Sequence, residues 1–458
     1  MTKLRGTTGY MGDIDVRQAT RDEVLDTPDC LSLRRAVFEP GFGQPGAIGV
    51  EIETFVFERG KTVSLGMDGS GLTPGNFLTR LGAIAGPDAK LVRDPLNGYA
   101  TGLSLPSGGK FCLENGGQVE YASSTQIGLA AIAAELHDAL ALCERAAEGT
   151  LGFLSHGTHP TLEERRDPLV PNSRYRIMER FFAPDSIHRW GNYTASIQVN
   201  LDVPDPEAWP EALRLGFLLS RFAYPLFANS RYLHGRPFPG GSARTHLLAG
   251  VDRGRQVVPA GAIRSADPVE AYVQWALDAS VIFAGDLPLE ELPRRGELSF
   301  REWILHGYRG KRPGLAHWQL HLGTLWPDVR PRRFIELRAT DAQPFEYIMA
   351  AVAFWQALIQ TEEGREALRG FFAGMPDDLL QREPGDALFR ETRTHRALLE
   401  LAAGVLERTG GDRWAGAVRD YARYREEVVG TLPLHGADFV ARTRCDAPAS
   451  AFIGRNPV

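Results

Sequence analysis

The stretch "GVEIETFVF", Gly49 to Phe57, has the composition of a buried strand, with Val50, Ile52, Phe55 and Phe57 around its centre. Yet it carries Glu51 and Glu53, two residues apart. Side chains at i and i+2 of a strand point to the same face. Two unpaired carboxylates are costly to bury on such a face, and each raises the pKa of the other. A bound divalent cation removes both penalties.

Three further stretches repeat the pattern. In "LENGGQVEYAS", Glu114 precedes the pair Gly116–Gly117, and Gln118 and Glu120 share a face after it. The glycines allow a bulge or a close backbone approach to a ligand. In "TASIQVNLD", Ile197, Val199 and Leu201 lie on one face and Gln198, Asn200 and Asp202 on the other, the alternation of a half-buried strand. In "RRFIELRATD", Phe334, Ile335 and Leu337 surround Glu336 and Arg338, again a polar pair at i and i+2. A sheet face simply in water explains any one of these strands, but four with the same bias toward carboxylate, amide and arginine favour a site. Oxygen-rich sites suit hard cations such as Mg²⁺ or Mn²⁺. The chain has no Walker-type loop, no GxGxxG after a strand and no nucleophile elbow, so a bound nucleotide has to be held through metal and arginine.

The chain of 458 residues is 43% hydrophobic and 24% charged, enough for a large core. Its net charge of −6 gives no reason to expect nucleic acid or an anionic membrane as partner. No apolar run reaches transmembrane length, and "MTKLRGTTGYMGDIDVRQ" lacks the apolar core of a signal peptide, so a cytoplasmic protein is expected. Cys30, Cys112, Cys143 and Cys445 show no metal-type spacing and read as reduced thiols. Lysine is confined to Lys3, Lys61, Lys90, Lys110 and Lys311, which leaves arginine to bind anions.

Residues 1–45 read as a leader, 46–365 as a catalytic domain and 366–458 as a mainly helical region packed on it. Helices are expected near 75–86, in "IGLAAIAAELHDALALCERAAEG", over 208–230, from "DPVEAYVQWALD", in "FEYIMAAVAFWQALIQT" and through much of the last stretch. Residues 94–110 read as a loop or irregular hairpin. Strands and helices that do not alternate regularly, with hairpin-like signals, predict an α+β fold with a mainly antiparallel sheet.

Read together, these blocks resemble the glutamate–cysteine ligases, in the branch that contains the plant enzymes and the bacterial enzymes of glutathione and ergothioneine synthesis. Besides the four stretches above, the resemblance rests on "NSRYRIMERFF", "YPLFANS", "ARTHLLAGVDRGR", "AYVQWALD", "LSFREWI" and "HWQLHLGTLWPDVR", in order along the chain. It implies a glutamine-synthetase-like carboxylate–amine ligase, with a curved, mainly antiparallel sheet lining a funnel-shaped active site. The implied reaction joins glutamate to cysteine with ATP through a γ-glutamyl phosphate, in a monomer or homodimer. Metal ions and arginine serve that chemistry by spreading the charge on the transferring phosphoryl group.

The resemblance also implies roles. Glu51, Glu53 and Glu120 match metal ligands, Glu114 lies beside them, and Gln198 stands where other branches place a ligating histidine. Glu336 matches the last metal carboxylate. Arg338 matches the arginine near the phosphoryl group and, with Asn200, is a candidate nucleotide contact. Arg244 matches the arginine that grips glutamate, and Tyr175 a tyrosine bordering the acceptor pocket. Tyr175 and Gln198 also fit a purely structural role in core hydrogen bonding. His246, His317 and His321 have no spacing that links them into a metal site, and Trp190 and Trp318 are assigned to packing. The cysteine pairs of the plant enzymes have no counterparts, so no thiol switch is expected. Two alternatives stay open: an amine acceptor other than cysteine, and a non-catalytic protein that binds glutamate or nucleotide.

Overall fold

Strand β1 (Ala47–Glu58) is long enough to have different neighbours along its two halves. Its first half lies between β8 (Ser196–Leu201) on one side and β5 (Val119–Ala122) and β6 (Gln126–Ile127) on the other. Its second half pairs with β7 (Leu151–Leu154). The sheet continues beyond β5 through β4 (Lys110–Leu113) and β3 (Ala100–Ser104) to β2 (Lys90–Arg93). Beyond β8 it continues through β12 (Ile335–Asp341) to β11 (Val329–Pro331). All these pairings are antiparallel, in one ten-stranded sheet, and β9 (Tyr232–Leu233) and β10 (Arg236–Pro237) form a separate hairpin. The α+β class with an antiparallel sheet is as the sequence predicts.

This computed structural model describes residues 24–25, 32–35, 45–59, 72–159, 170–182, 190–234, 236–238, 242–258, 260–285, 287–375 and 392–427. Most of the expected leader, Cys30, Cys445 and the chain after residue 427 lie outside the described residues. Among the described residues no helix is long and apolar enough to cross a membrane.

One side of the sheet is covered by helices. Ile48, Val50 and Ile52 of β1, Ile197, Val199 and Leu201 of β8, and Ile335 and Leu337 of β12 join a single buried cluster. Helices Gly128–Ala147, Trp209–Leu226 and Ile348–Trp355 contribute Leu136, Leu213 and Val352 to it. Fully burying each such side chain stabilises the fold by roughly 1.5–3 kcal/mol. All eight residues of Ile348–Trp355 are buried, as expected for a helix that is apolar all round. Its π-helical continuation ends at Gln360, whose Nε2 donates to the Ala47 and Asp202 carbonyls at 2.8 and 3.1 Å. That side chain ties the end of the central helix to the start of β1 and the end of β8. The C-terminal helices add Leu398, Ala402 and Trp414 to the same core.

One expectation needs correction. Strand β8 is not half-buried, because all six of its residues are buried and its polar face is turned inward. The stretch 94–110 is the irregular hairpin expected: β2 and β3 pair antiparallel with a register shift between Val92 and Arg93, and turns occupy most of the rest. Asp94 organises the first turn: its Oδ1 accepts from the Leu96 and Asn97 amides, and its Oδ2 from the Ser173 amide at 2.7 Å. The same carboxylate therefore anchors helix Ser173–Phe181, which carries Tyr175.

Candidate active site

The side of the sheet away from the helices carries the polar residues, and strand register sets who faces whom. Glu53 of β1 stands opposite Glu120 of β5, and Glu51 opposite Gln198 of β8. One step along, Asn200 stands opposite Glu336, and Glu336 opposite Arg330 of β11. Glu114 is delivered by the turn from β4 to β5, closed by bonds between Glu114 and Gln118 and between Gly117 and Glu114. Gly117 has φ +80°, in the left-handed region that favours glycine. A Cβ on Gly116 would lie 2.4 Å from the Asn192 carbonyl oxygen, so the close approach at that position is to the chain's own backbone.

A cavity of ≈ 170 Å³ opens on this face. Its polar lining includes Glu51, Glu53, Glu114, Glu120, Arg174 and Tyr175, and further round Arg330, Arg332 and Arg338. Among the described residues, Glu53, Glu114 and Glu120 form a group whose carboxylate oxygens, one from each, lie within 4.8 Å of one another.

These carboxylates are short of positive charge. Glu53 accepts from the Ser196 amide at 2.7 Å and from Gln198 Nε2 at 3.0 Å, and Glu51 accepts from Asn200 Nδ2 at 3.2 Å. The Tyr175 hydroxyl lies 3.1 Å from the Leu113 carbonyl and 3.4 Å from Glu114 Oε2. Burial, reinforced by Glu336, pushes Glu51 up to about 7, against the pull of Arg330 and Arg338. Burial and the charge of Glu114 push Glu53 up to about 7 as well. Burial raises Glu114 too, and Glu120 is raised well above the usual carboxylate range by burial and by Glu51, Glu114 and Glu53. Glu120 is 2% exposed, and its Oε1 and the Oδ1 of Asn200 are buried without a hydrogen-bond partner. Clustered carboxylate oxygens with an orphaned acceptor are the donor set a hard divalent cation takes.

The neighbouring edge is the reverse. Arg330 grips Glu336 with a two-pronged contact, Nε to Oε2 at 2.7 Å and Nη2 to Oε1 at 2.6 Å. Arg338 donates to the same carboxylate and to Oε1 of Gln198, and Arg332 lies 3.9 Å from Oε2. Burial alone would raise Glu336, but Arg330, Arg338 and Arg332 together hold it at about 2. Gln198 is the bridge between the halves, with its amide nitrogen on Glu53 and its oxygen on Arg338.

Of the residues singled out in the sequence, Glu51, Glu53, Glu114, Glu120, Tyr175, Gln198 and Arg338 line the cavity. Glu336 and Asn200 share the face but not the lining, and Glu336 is enclosed by arginines. Arg244 is 4% exposed and lies behind the wall: Nη1 is 3.4 Å from Asp341 Oδ1, and Nη2 donates to the Arg338 carbonyl at 3.3 Å. Trp318 is core, with its ring nitrogen donating to the Leu33 carbonyl at 3.1 Å. Trp190 packs, as expected, against the cluster of Met178, Phe181 and Phe182. Its ring lies 4.9 Å from that of Trp326, and both line the cavity. His317 accepts from the Gly314 amide, and His321 meets the Ala276 carbonyl at 2.8 Å. Cys112 and Cys143 are buried. Sequence reasoning missed Arg174, Arg330 and Arg332. The run "DVRPRRF" was the available signal for the last two, but only the β11–β12 pairing shows that Arg330 meets Glu336.

Comparison with known proteins adds an independent line. The profile of the glutamate-cysteine ligase family 2 matches residues 47–408. A chloroplastic glutamate–cysteine ligase of Medicago truncatula is 30% identical over 260 residues, covering 55% of this chain and 50% of that protein. Glutamate–cysteine ligase EgtA of Mycolicibacterium smegmatis is 33% identical over 276 residues, covering 58% of this chain and 64% of that protein. The matches thus span half to less than two thirds of these relatives' own lengths. The crystal structure of a glutamate–cysteine ligase from Francisella tularensis in complex with AMP is 14% identical, with a TM-score of 0.47 over 91% of this chain and 90% of that one. With well over half of its length matched by the profile, the chain belongs to the glutamate-cysteine ligase family 2.

Proposed function

We propose that the protein is an ATP-dependent γ-glutamyl ligase that joins L-glutamate to L-cysteine, giving γ-glutamylcysteine, ADP and phosphate. The observation that carries this reading is the group of half-buried Glu53 and Glu114 with buried Glu120, short of counter-charge and beside an arginine cluster. Glu53, Glu114 and Glu120, with Glu51 beside them, would hold Mg²⁺ or Mn²⁺. Held there, a divalent cation would supply positive charge to offset that of the phosphates.

The chain's own residues supply the rest. Arg338, held by Glu336 and Gln198, presents a fixed guanidinium to the phosphoryl group passing from ATP to the glutamate γ-carboxylate. Arg332, at the same wall, adds a second cation. A preorganised charge of this kind requires no reorganisation as the transition state forms. The carboxylate oxygen attacks the terminal phosphorus and ADP leaves. The amine nitrogen then attacks the acyl carbon, phosphate leaves with the former carboxylate oxygen, and the amine gives up a proton. Arg174, on the cavity wall beside Glu114, is placed to take a substrate carboxylate. Arg244 lies one layer further back.

The test is phosphate release from ATP that requires both amino acids, with γ-glutamylcysteine identified as the product. Full activity in excess EDTA would sink the metal-dependent reading, and release independent of glutamate would sink the ligase reading. One observation favours a second acceptor class. Met178, Trp190 and Trp326 give the cavity an apolar wall, with the two indole rings 4.9 Å apart. An amine with a larger apolar side chain then becomes the better acceptor, and a screen of amines at fixed glutamate and ATP decides between the two. A protein that only binds glutamate or nucleotide is excluded by any measurable turnover.

A further inference from the structure

We propose that Asp341 is a positioning residue which, through Arg244, fixes the main chain at a bulge in β12 and so aims Arg338 at the cavity. The catalytic consequence rests on the ligase reading; the geometric part does not.

Strand β12 pairs Leu337 with Val199 but Thr340 with Ile197, so three steps along β12 match two along β8. The extra residue is a β-bulge, a feature that re-aims side chains. Unbroken alternation from Glu336 and Arg338 would put Thr340 on the site face. Instead Thr340 faces the helices, where its hydroxyl accepts from the Trp355 ring nitrogen at 2.9 Å. Asp341 takes the site side, 2% exposed.

Every contact of its carboxylate leads toward Arg338 or braces it. Oδ2 accepts from the Asn229 amide at 2.9 Å and the Ser230 hydroxyl at 2.6 Å, and Oδ1 lies 3.4 Å from Arg244 Nη1. The Ser230 hydroxyl also accepts from the Arg244 amide at 3.3 Å, so both ends of Arg244 are tied to one network. Arg244 Nη2 in turn donates to the Arg338 carbonyl at 3.3 Å. On its other side the Arg338 amide donates to the Asp328 carbonyl at 3.0 Å, and the Asp328 carboxylate is held by the Tyr224 hydroxyl at 2.8 Å. The main chain that carries Arg338 is thus clamped on both sides. Gly157 closes the back, since a Cβ there would lie 2.4 Å from the carboxylate carbon of Asp341. A buried ion pair is weak evidence of stabilisation, because apolar residues of equal volume often serve a core as well. The use of this pair lies in geometry.

The experiment is a double-mutant cycle with a structural arm. Asp341→Asn keeps shape and removes the charge that holds Arg244. It should lower kcat for phosphate release about 30-fold, with the KM for ATP and glutamate within about threefold, while in an Arg338→Lys background it should cost less than about threefold. Equal losses in the two backgrounds, or wild-type kcat for Asp341→Asn, would overturn the proposal. Ser230→Ala weakens the clamp while leaving the charge, and it carries the same cycle with a smaller loss if Asp341→Asn does not fold. Independently of turnover, the crystal structure of the variant should show the Arg338 guanidinium displaced from Gln198 and Glu336. An unmoved guanidinium contradicts the clamp even if the wild-type protein proves not to be a ligase.

Discussion

Glu336 and Glu120 are both buried carboxylates on the same face of one sheet, and their surroundings are opposite. Glu336 has three arginines around it and is held at about 2. Glu120 has Glu51, Glu53 and Glu114 for neighbours, Arg338 as its main opposing charge, and a pKa raised well above the usual range. The Glu336 carboxylate is neutralised from within the chain. The carboxylate centre is not, and only protons or an outside cation make up the deficit. Burial alone therefore says little about a charged residue here; the sign of its neighbours decides whether it braces the structure or waits for a ligand.

The largest expected effect breaks the carboxylate side. Glu53→Gln keeps the shape and removes one charge from the group with Glu114 and Glu120. Turnover should fall by about 10³-fold, with partial recovery at high Mg²⁺ because mass action offsets weaker binding. Stability of the metal-free protein should hold or rise, since one of several repelling carboxylates is gone. An activity loss that tracks a loss of folded protein would contradict this.

Breaking the arginine side should do the reverse. Glu336→Gln leaves Arg330 and Arg338 without the carboxylate that holds them. Removing one partner of a buried pair costs about 3–5 kcal/mol. Thermal melting should therefore show a large drop in Tm, greater than that of Glu53→Gln. An unchanged Tm would mean that water or other groups already neutralise those arginines.

A smaller effect sharpens the comparison through pH. Glu51 and Glu53 have folded pKa values near 7, above the ordinary 4.5, so the metal-free fold binds their protons more tightly than the unfolded chain does. Their stabilising contribution is complete below about 4.5 and is lost as pH rises toward 7, with a slope of roughly 1.4 kcal/mol per pH unit for each titrating group. Glu336 is shifted the other way: its contribution is complete above 4.5 and is lost as pH falls toward about 2. Denaturant melts of metal-free wild type between pH 5 and 8 should lose stability with rising pH, and Glu53→Gln should flatten that slope. A slope unaltered by the substitution would place the titration elsewhere.

The sequence made the site's centre legible because β1 and β8 alternate cleanly, and a period of two identifies faces without a structure. Glu51, Glu53, Gln198 and Asn200 were readable for that reason. The bulge in β12 was not, because Thr340 and Asp341 are both polar and either one continues the pattern. Arg330 and Arg332 were hidden for another reason, since pairing between strands is a tertiary fact that the run "DVRPRRF" does not state. The full burial of β8 was missed because alternation alone does not show whether a polar face meets water or an enclosed site.

If the Glu53–Glu114–Glu120 group holds a divalent cation, calorimetric titration of the metal-free protein with Mn²⁺ will show it. Performed near pH 6.5 in buffers of different ionisation enthalpy, the titration counts protons released with each ion. Saturable binding with net proton release is expected, because Glu51, Glu53 and Glu120 are raised into or above this range in the free protein. Binding should weaken strongly in Glu120→Gln and persist in Arg338→Lys. Binding without proton release, or equal binding by wild type and Glu120→Gln, would contradict it.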